Sequence, residues 1–412
     1  MSTIHAETAL LPDGWMENVL IDLGDDGRIA KVTQHVTGTA AEIHVSCLLP
    51  APVNAHSHAF QRAMAGLTEH RSNNSTDSFW TWRELMYRFL DQLTPDHVEA
   101  IAALVQMEML ESGYATNVEF HYLHHAPGGS AYDNQSEMAE RIMAATATTG
   151  IGLTMLPVHY QYGGCDMRPL ARGQCRFHND LGGFAALCDG VKNGLGNLPA
   201  DTVFGVAPHS LRAVHASSLD FTRQLADGGP FHMHLAEQSA EVEEVCHHLG
   251  ARPVEWMLDN FEAGTDCCFI HCTQMQPHET SGLAASGAVA GLCPITEASL
   301  GDGVFDGVSW FDAGGMIAIG SDSNIRISLS EELRSLEYTQ RLRDRSRAAM
   351  ATSTASTGRH ILNAMIAGGA QAAGRHTGQI ANGYWADLMA LDTQSATLAG
   401  RTKDQLIDSF IF

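Results

Sequence analysis

Residues 48–66, LLPAPVNAHSHAFQRAMAG, place two histidines one residue apart, directly after the short apolar run at 45–53. His56 and His58 stand in the i, i+2 relation, which in a β-strand puts both side chains on the same side. Two imidazoles at that spacing near the end of a strand can converge on one cation, and zinc accepts neutral imidazole readily. A catalytic zinc site needs about three protein ligands and an open position. Because the chain has 22 histidines, the pair indicates a metal site only if other parts of the chain supply further ligands.

Length, composition and charge exclude several classes of protein. A chain of 412 residues that is 44% hydrophobic can bury a large core, as one large α/β barrel or as two domains. The net charge of −23 argues against nucleic acid and against an anionic membrane surface as partners. The sequence shows neither a run of about 18 apolar residues nor the pattern of a signal peptide. The nine cysteines lack zinc-ribbon spacing, so reduced thiols and a cytoplasmic location are expected.

Short apolar or β-rich segments alternate with longer helical ones through the middle of the chain. The predicted strands are 115–121, 151–157, 203–207, 231–235, 268–271, 288–292 and 316–319. The predicted helices include 95–112, 136–149, 239–249 and 330–347, the last with Ser328 and Glu331 in capping-box spacing. Strand and helix alternating over roughly 320 residues indicate parallel βα units, and an α/β fold with a closed (β/α)8 TIM-like barrel fits that length.

Both ends of the chain have the pattern of short strands separated by turns. The segments concerned are 6–11, 19–23, 29–36 and 386–391. Neither end could bury much surface alone. The sequence therefore predicts a small β-sandwich domain built from residues 1–48 plus 377–412, with the barrel at 49–376.

Three later strands end in a possible metal ligand or proton carrier. The segment 231–238 places His232 and His234 in the same i, i+2 relation and then adds Glu237, while His271 and Asp322 each end an apolar run. The carboxyl ends of barrel strands share one rim, so these side chains can meet His56 and His58, with one of His232 or His234 as a ligand. Each residue also has a plainer interpretation, such as a structural histidine, a turn aspartate or the first residue of a solvated helix. Four such coincidences on four strand ends favour a metal site.

The ordered motifs HxH, HxxE, H and SD resemble those of the amidohydrolase superfamily. Within it, NAHSHAFQRAMAG, EFHYLHH, APHSLRAV, HMHLAEQ, CPITEASLGDG and GSDSN are similar to the formimidoylglutamate deiminase family of histidine degradation. The likeness covers nearly the whole chain, including the GQIANGYWADLMALD ending. It implies hydrolytic deamination of N-formimino-L-glutamate to N-formyl-L-glutamate and ammonia, by a homodimer.

The resemblance also implies roles for individual residues. The implied metal ligands are His56, His58, His234 and Asp322, and His232 keeps a structural role. Glu237 would be the proton shuttle, His271 a polarising residue, and Asp322 also a proton acceptor. One divalent ion, zinc, is expected, because Lys192 lies in a stretch badly placed to bridge two ions. Glu119 remains an alternative bridging residue.

The substrate implied by the resemblance is a small dicarboxylate. Arginine is the residue expected to bind its carboxylates, because a guanidinium group forms bidentate pairs with them. The candidate substrate-binding residues are Gln61, Arg83, Tyr122, His209 and Arg212. The Gly-rich, aperiodic segment 160–180 is predicted to be a long loop over one face, a kind of segment that often serves as a lid in barrels.

Two other interpretations remain open from the sequence. The chain could be another aminohydrolase of the same superfamily, such as a guanine-type deaminase or a triazine-type hydrolase, with the metal site but without the anion pocket. It could also be a non-catalytic barrel that serves as a scaffold. Loss of one or more ligands would mark a scaffold, and all of them are present here.

Overall fold

The computed structural model describes residues 2–36, 40–70 and 78–412. The strands are β1 (Thr3–Leu11), β2 (Gly14–Leu23), β3 (Ile29–Thr33), β4 (Ile43–Pro50), β5 (Val53–Ser57), β6 (Thr116–His121), β7 (Gly152–His159), β8 (Val203–Phe204), β9 (Ala207–Pro208), β10 (Phe231–Leu235), β11 (Cys267–His271), β12 (Val289–Leu292), β13 (Met316–Ile319) and β14 (Leu388–Leu391). The α-helices are α1 (Phe79–Leu90), α2 (Pro95–Ser112), α3 (Glu137–Thr149), α4 (Leu181–Leu195), α5 (Leu219–Leu225), α6 (Ser239–Leu249), α7 (Pro253–Asn260), α8 (Pro277–Ala285), α9 (Pro294–Leu300), α10 (Gly307–Asp312), α11 (Leu329–Asp344), α12 (Thr357–Ala373) and α13 (Asp404–Ile411). Short 3-10 helices lie at Ala59–Met64, Arg172–Phe177 and Ala216–Ser218. Within these ranges, no helix has both the length and the hydrophobicity that crossing a membrane requires.

The strands from β5 to β13 form the predicted parallel barrel. Their order is β10-β11-β12-β13-β5-β6-β7-β8, and β9 continues the last position by pairing with β7. Val206, between β8 and β9, pairs in parallel with Phe231 of β10 and so closes the ring. Apart from β8 and Met316, the residues of these strands are buried on both faces, as expected for a parallel sheet covered by helices.

Several predicted element boundaries differ from the observed ones, among them those of the strand predicted at 203–207 and the helix predicted at 330–347. The strand predicted at 203–207 is divided, because the chain at Gly205 runs so close to the neighbouring segment that a Cβ would lie 2.5 Å from the carbonyl oxygen of Pro230. The helix predicted at 330–347 is α11, and the hydroxyl of its N-cap Ser328 accepts a hydrogen bond from the backbone N–H of Glu331 as the capping spacing predicts. It ends at Asp344 because Arg345 has a left-handed φ of 54°, which stops helix propagation.

The terminal strands form a single five-stranded sheet, in the order β14-β4-β1-β2-β3. Along β1, residues such as Ala9 pack with Ile380 in a small core, whereas Leu10 packs with the main core of the barrel. The sheet is therefore covered on one face by the barrel, and the second layer of the expected sandwich is not found among the described residues. Helix α13 packs against α11 and α12 although the predicted terminal domain includes it. The domain boundaries themselves stay a prediction.

Candidate active site

The four predicted metal ligands meet at the carboxyl end of the barrel. His56 lies on β5, His58 directly follows it, His234 lies on β10 and Asp322 follows β13. The Nε2 atoms of His56 and His234 are 3.1 Å apart, and the Asp322 Oδ1 atom lies 3.3 Å from His58 Nε2 and 3.7 Å from His56 Nε2. One donor nitrogen from each of the three histidines lies within 4.8 Å of the other two. The structure thus brings together all four side chains.

The hydrogen bonds around these histidines leave their inner nitrogens available as ligands. His58 Nδ1 donates to the carbonyl oxygen of Phe120 at 2.9 Å, and His234 Nδ1 donates to that of His209 at 3.0 Å. In a neutral imidazole the other nitrogen, Nε2, then carries the lone pair. Burial lowers the pKa of His58 to about 3, so its imidazole is neutral at physiological pH.

A divalent cation fits this donor set. The Nε2 atoms of His56 and His234 are 3.1 Å apart, and the buried Nδ1 atom of His56 has no hydrogen-bond partner among the described residues, so His56 Nε2 can serve as a ligand. Tetrahedral zinc with Zn–N bonds of about 2.0–2.1 Å places its ligand nitrogens roughly 3.3 Å apart. Three neutral imidazoles and one carboxylate at these separations satisfy the requirements of a mononuclear site of that type.

The loop after β13 is held against β5 by backbone hydrogen bonds and by tight packing. The His58 N–H donates to the Asp322 carbonyl oxygen and the Asp322 N–H donates to the His56 carbonyl oxygen, both at 2.9 Å. Gly320 precedes this loop, and a Cβ there would lie 2.7 Å from the Cβ, N and O atoms of His56. Only glycine allows the two strands to approach this closely, so Gly320 helps to set the distance between Asp322 and the histidines.

The predicted proton carriers lie beside the ligands. His271 Nε2 is 3.7 Å from Asp322 Oδ2 and 3.9 Å from Glu237 Oε1. His271 has a φ of 73°, a strained backbone conformation that non-glycine residues adopt mainly where the surroundings impose it, often at active sites. Glu237 and His271 are therefore close to any molecule bound at the ligand cluster, which consists of the predicted ligands His56, His58, His234 and Asp322.

Glu297 is a neighbour of His271 that the reasoning from sequence did not single out. Its Oε1 atom lies 3.3 Å from His271 Nδ1 and accepts a hydrogen bond from the backbone N–H of Cys293 at 2.8 Å. Burial alone would lower the pKa of His271, but the carboxylates of Glu237, Glu297 and Asp322 outweigh it and raise that pKa to about 10. The CPITEASLGDG motif contains Glu297, so a signal for this residue was present in the sequence.

One pocket is lined by three of the predicted ligands, by both predicted proton carriers and by all five predicted substrate-binding residues. These five are Gln61, Arg83, Tyr122, His209 and Arg212. Gln61 Nε2 donates to the Tyr122 hydroxyl at 2.6 Å. Arg212 is only 6% exposed, and its Nε and Nη2 atoms have no hydrogen-bond partner among the described residues. The Arg83 guanidinium lies 4.5 Å above the ring of Trp80. Two guanidinium groups in one pocket give it the donors that an anion requires.

Aromatic side chains form the rest of the pocket wall, and the sequence analysis did not assign them to it. The wall contains Phe79, Trp82, Tyr87, Tyr160 and Phe177. The last two come from the predicted loop at 160–180. The fully buried Arg176 connects that loop to neighbouring segments, because its guanidinium donates to the carbonyl oxygens of His125, Leu90 and Leu93. A lid role for this loop stays a prediction.

Three further residues considered from the sequence are engaged elsewhere. His232 Nε2 donates to the Ala372 carbonyl oxygen at 2.8 Å, which gives it a structural contact. Lys192 lies on α4 and donates to the Leu225 carbonyl oxygen at 2.9 Å. Glu119 accepts hydrogen bonds from the backbone N–H of Ala59 and from the amide of Asn117, one on each carboxylate oxygen. Both groups considered as bridges between two metal ions thus have other partners.

Comparison with known proteins identifies the family of this chain. Residues 47–411 match the Amidohydrolase family, and residues 1–44 match the family described as Formimidoylglutamate deiminase HutF, N-terminal domain. The formimidoylglutamate deiminase of Pseudomonas aeruginosa is 42% identical over 414 residues, covering 100% of this chain and 91% of that protein.

Solved structures show the same fold. The crystal structure of an amidohydrolase from Brucella melitensis has a TM-score of 0.95 and 44% identity, and the match covers 100% of this chain and 91% of that one. The zinc complex of atrazine chlorohydrolase from Arthrobacter aurescens has a TM-score of 0.82 at 18% identity, with the same coverage, and is similar in fold alone. The barrel, the ligand cluster and the family match together establish that this chain belongs to the amidohydrolase family.

Proposed function

We propose that the protein is a formimidoylglutamate deiminase that hydrolyses N-formimino-L-glutamate to N-formyl-L-glutamate and ammonia. The observation that carries this proposal is the presence of Arg83 and Arg212 in the same pocket as His58, His234 and Asp322. The 42% identity to the Pseudomonas aeruginosa enzyme over the whole chain supports the same reaction. The match of residues 1–44 to the N-terminal domain of such enzymes supports it independently of the pocket.

In this proposal His56, His58, His234 and Asp322 hold one divalent ion, which we take to be zinc. The bound ion would supply a water molecule activated for nucleophilic attack at neutral pH. The three imidazoles are suited to this role because they are buried and neutral, and the carboxylate supplies one negative charge. One ion suffices, since Lys192 and Glu119 bind other groups.

The proton carriers complete the reaction. A C–O bond forms at the formimino carbon while the bond from that carbon to the terminal nitrogen breaks. Asp322 accepts a proton from the attacking water, and Glu237 delivers a proton to the nitrogen so that it leaves as ammonia rather than as an amide anion. His271 stabilises negative charge that develops on the oxygen. The separations of 3.7 Å and 3.9 Å between His271 and the two carboxylates support a joint role for the three groups.

The dicarboxylate part of the substrate would occupy the arginine side of the pocket. The two arginines would bind the two carboxylates, assisted by Gln61, Tyr122 and His209. Arg212 is suited to this because it is buried with unsatisfied donors, and a carboxylate would satisfy them in a charge-assisted, bidentate pair. A purine or triazine carries no such anionic group and would leave these donors unpaired, which opposes its binding.

A substrate panel tests the proposal. Ammonia release by the purified, zinc-loaded protein would be measured with N-formimino-L-glutamate, guanine, adenosine and a chlorotriazine. Turnover of the glutamate derivative alone is expected. Turnover of guanine, adenosine or the triazine without turnover of the glutamate derivative would show a different aminohydrolase. No turnover, together with uptake of less than about half an equivalent of zinc per chain during loading, would favour the scaffold.

We further propose that the enzyme works in the cytoplasm as a homodimer. None of its nine cysteines is in a disulfide, which is consistent with a reducing compartment. The homodimer is proposed from the resemblance to the deiminase family. Light scattering on the purified protein would give a mass of twice 44.4 kDa for a dimer.

A further inference from the structure

Glu241 is a fully buried carboxylate that lies behind the pocket and takes no direct part in the proposed reaction. It is on α6, 0% exposed, and is not among the residues that line the pocket. Its Oε2 atom accepts a hydrogen bond from the backbone N–H of Glu237 at 2.9 Å. The same oxygen lies 4.0 Å from Nη2 of Arg212. Glu241 therefore contacts Glu237, the proposed proton shuttle, and faces Arg212, which is proposed to bind a carboxylate of the substrate.

Arg212 lies between two carboxylates. Its Nη2 atom is 3.6 Å from Glu237 Oε2 and 4.0 Å from Glu241 Oε2. A buried guanidinium needs a nearby negative charge, because burying an unpaired ion costs several kcal/mol. If Glu237 were the only counter-charge, its carboxylate would be held by Arg212, and that would hinder proton transfer.

We propose that Glu241 is a positioning residue that supplies a fixed negative charge to Arg212 and thereby leaves the Glu237 side chain free to carry a proton. This inference rests on the proposed function, in which Glu237 and Arg212 have those roles. Burial raises the pKa of the Glu241 carboxyl, while Arg212 and the backbone N–H groups of Glu237 and Gln238 favour its ionised form. The hydrogen bond from the Glu237 backbone also holds the carboxylate in place. It acts through these two residues and has no contact with the substrate.

A simpler role for Glu241 must be separated from this one. Glu241 is the third residue of α6, and a carboxylate at that position stabilises a helix by accepting hydrogen bonds from backbone N–H groups at its start. Glutamine keeps the acceptor oxygen and the length of the side chain but removes the charge. Aspartate keeps the charge but shortens the side chain. The two substitutions therefore distinguish the electrostatic role from the capping role.

The test is steady-state kinetics of Glu241→Gln and Glu241→Asp with N-formimino-L-glutamate, with Glu243→Gln as a control for the same change at an exposed position of α6. We expect kcat of Glu241→Gln to fall roughly tenfold or more, because Arg212 then pairs with Glu237 and hinders proton transfer. KM should be unchanged or lower, because Arg212 keeps the positive charge that attracts the substrate carboxylate. Glu241→Asp should retain more activity than Glu241→Gln. The control should behave as wild type.

Binding of L-glutamate, measured by titration calorimetry, gives a readout that does not depend on turnover. Glu241→Gln should bind L-glutamate at least as tightly as wild type. Three results would each overturn the inference. The first is a wild-type kcat in Glu241→Gln, and the second is a KM or dissociation constant that rises in this variant as kcat falls. The third is a Glu241→Asp variant that is less active than a folded Glu241→Gln variant. If the Asp variant does not fold, the kinetics and binding of Glu241→Gln decide. Failure of the wild-type protein to turn over N-formimino-L-glutamate would instead end the proposed function, and this inference with it.

Discussion

The Nε2 atoms of His56 and His234 lie 3.1 Å apart although the residues are 178 positions apart in the chain. Both imidazoles are buried, and burial holds the pKa of each well below its usual value, so both are neutral at physiological pH and can act as metal ligands. His58 and Asp322 face the same point. A metal ion at that point would be within reach of all four side chains, and the proposed chemistry depends on it.

Glu237→Gln tests the proton shuttle. The amide cannot carry a proton to the leaving nitrogen, so kcat should fall by roughly 10²- to 10⁴-fold while the metal content stays near that of wild type. Steady-state kinetics and elemental analysis on the same sample measure the two effects. Near-normal turnover would remove Glu237 from this role, and loss of metal would indicate that its carboxylate supports the ligand site instead.

Arg212→Met tests the anion pocket. Loss of a charge-assisted partner for one substrate carboxylate should lower kcat/KM by a factor of about 10 to 10³. Arg326→Met is a suitable control, because it removes an arginine whose ion pair with Glu331 is on the surface. Thermal melting of both variants would show whether the uncompensated charges of Glu237 and Glu241 also reduce stability. An unchanged kcat/KM would exclude Arg212 from substrate binding.

The sequence predicted that His56, His58, His234 and Asp322 lie close together, because strand geometry is local. A residue at the carboxyl end of a barrel strand must lie at the rim, so His56, His271 and Asp322 could be placed before their contacts were known. Strand geometry could not decide between His232 and His234, since both alternate to the same side. The structure separates them through the hydrogen bond of His232 to Ala372 on α12.

Residues that act from helices could not be predicted in the same way. Glu241 and Glu297 lie near the starts of α6 and α9, where acidic residues are common for reasons of helix capping alone. Their complete or nearly complete burial distinguishes them, and burial at a helix start depends on tertiary packing. The contact between the terminal sheet and the barrel could not be predicted either, because it also depends on tertiary packing.

Gly320→Ala tests the close approach of β13 to β5. A Cβ at this position would lie 2.7 Å from three atoms of His56, so the strands must separate. We expect a loss of about 1–3 kcal/mol in the free energy of unfolding and weaker metal binding, measured by urea denaturation and metal titration. Gly182→Ala is the matched control, because its nearest neighbour is 3.7 Å away and the added methyl group favours the helix. Equal effects in the two variants would contradict the packing argument.

His159→Asn tests how buried histidines limit stability in acid. Burial, with a smaller contribution from His178, lowers the pKa of His159 from 6.5 to about 4. As the pH falls from about 6.5 to 4 the unfolded chain takes up a proton that the folded chain does not, so His159 costs the folded state up to about 3 kcal/mol.

Asparagine can keep the contact to the Thr222 hydroxyl, which lies 2.7 Å from His159 Nδ1, without taking up the proton. The variant should therefore lose less stability than wild type between pH 6.5 and pH 4, as measured by urea unfolding at several pH values. The exposed His278→Asn controls for the loss of an imidazole. A pH dependence of His159→Asn identical to that of wild type would contradict this assignment.

The most direct test of the central claim is to quantify the products that the zinc-loaded enzyme forms from N-formimino-L-glutamate. If the ligand cluster directs attack to the formimino carbon and Glu237 protonates the terminal nitrogen, ammonia and N-formyl-L-glutamate must appear in equal amounts. Release of L-glutamate and formamide, or no reaction with one equivalent of metal bound, would contradict the account.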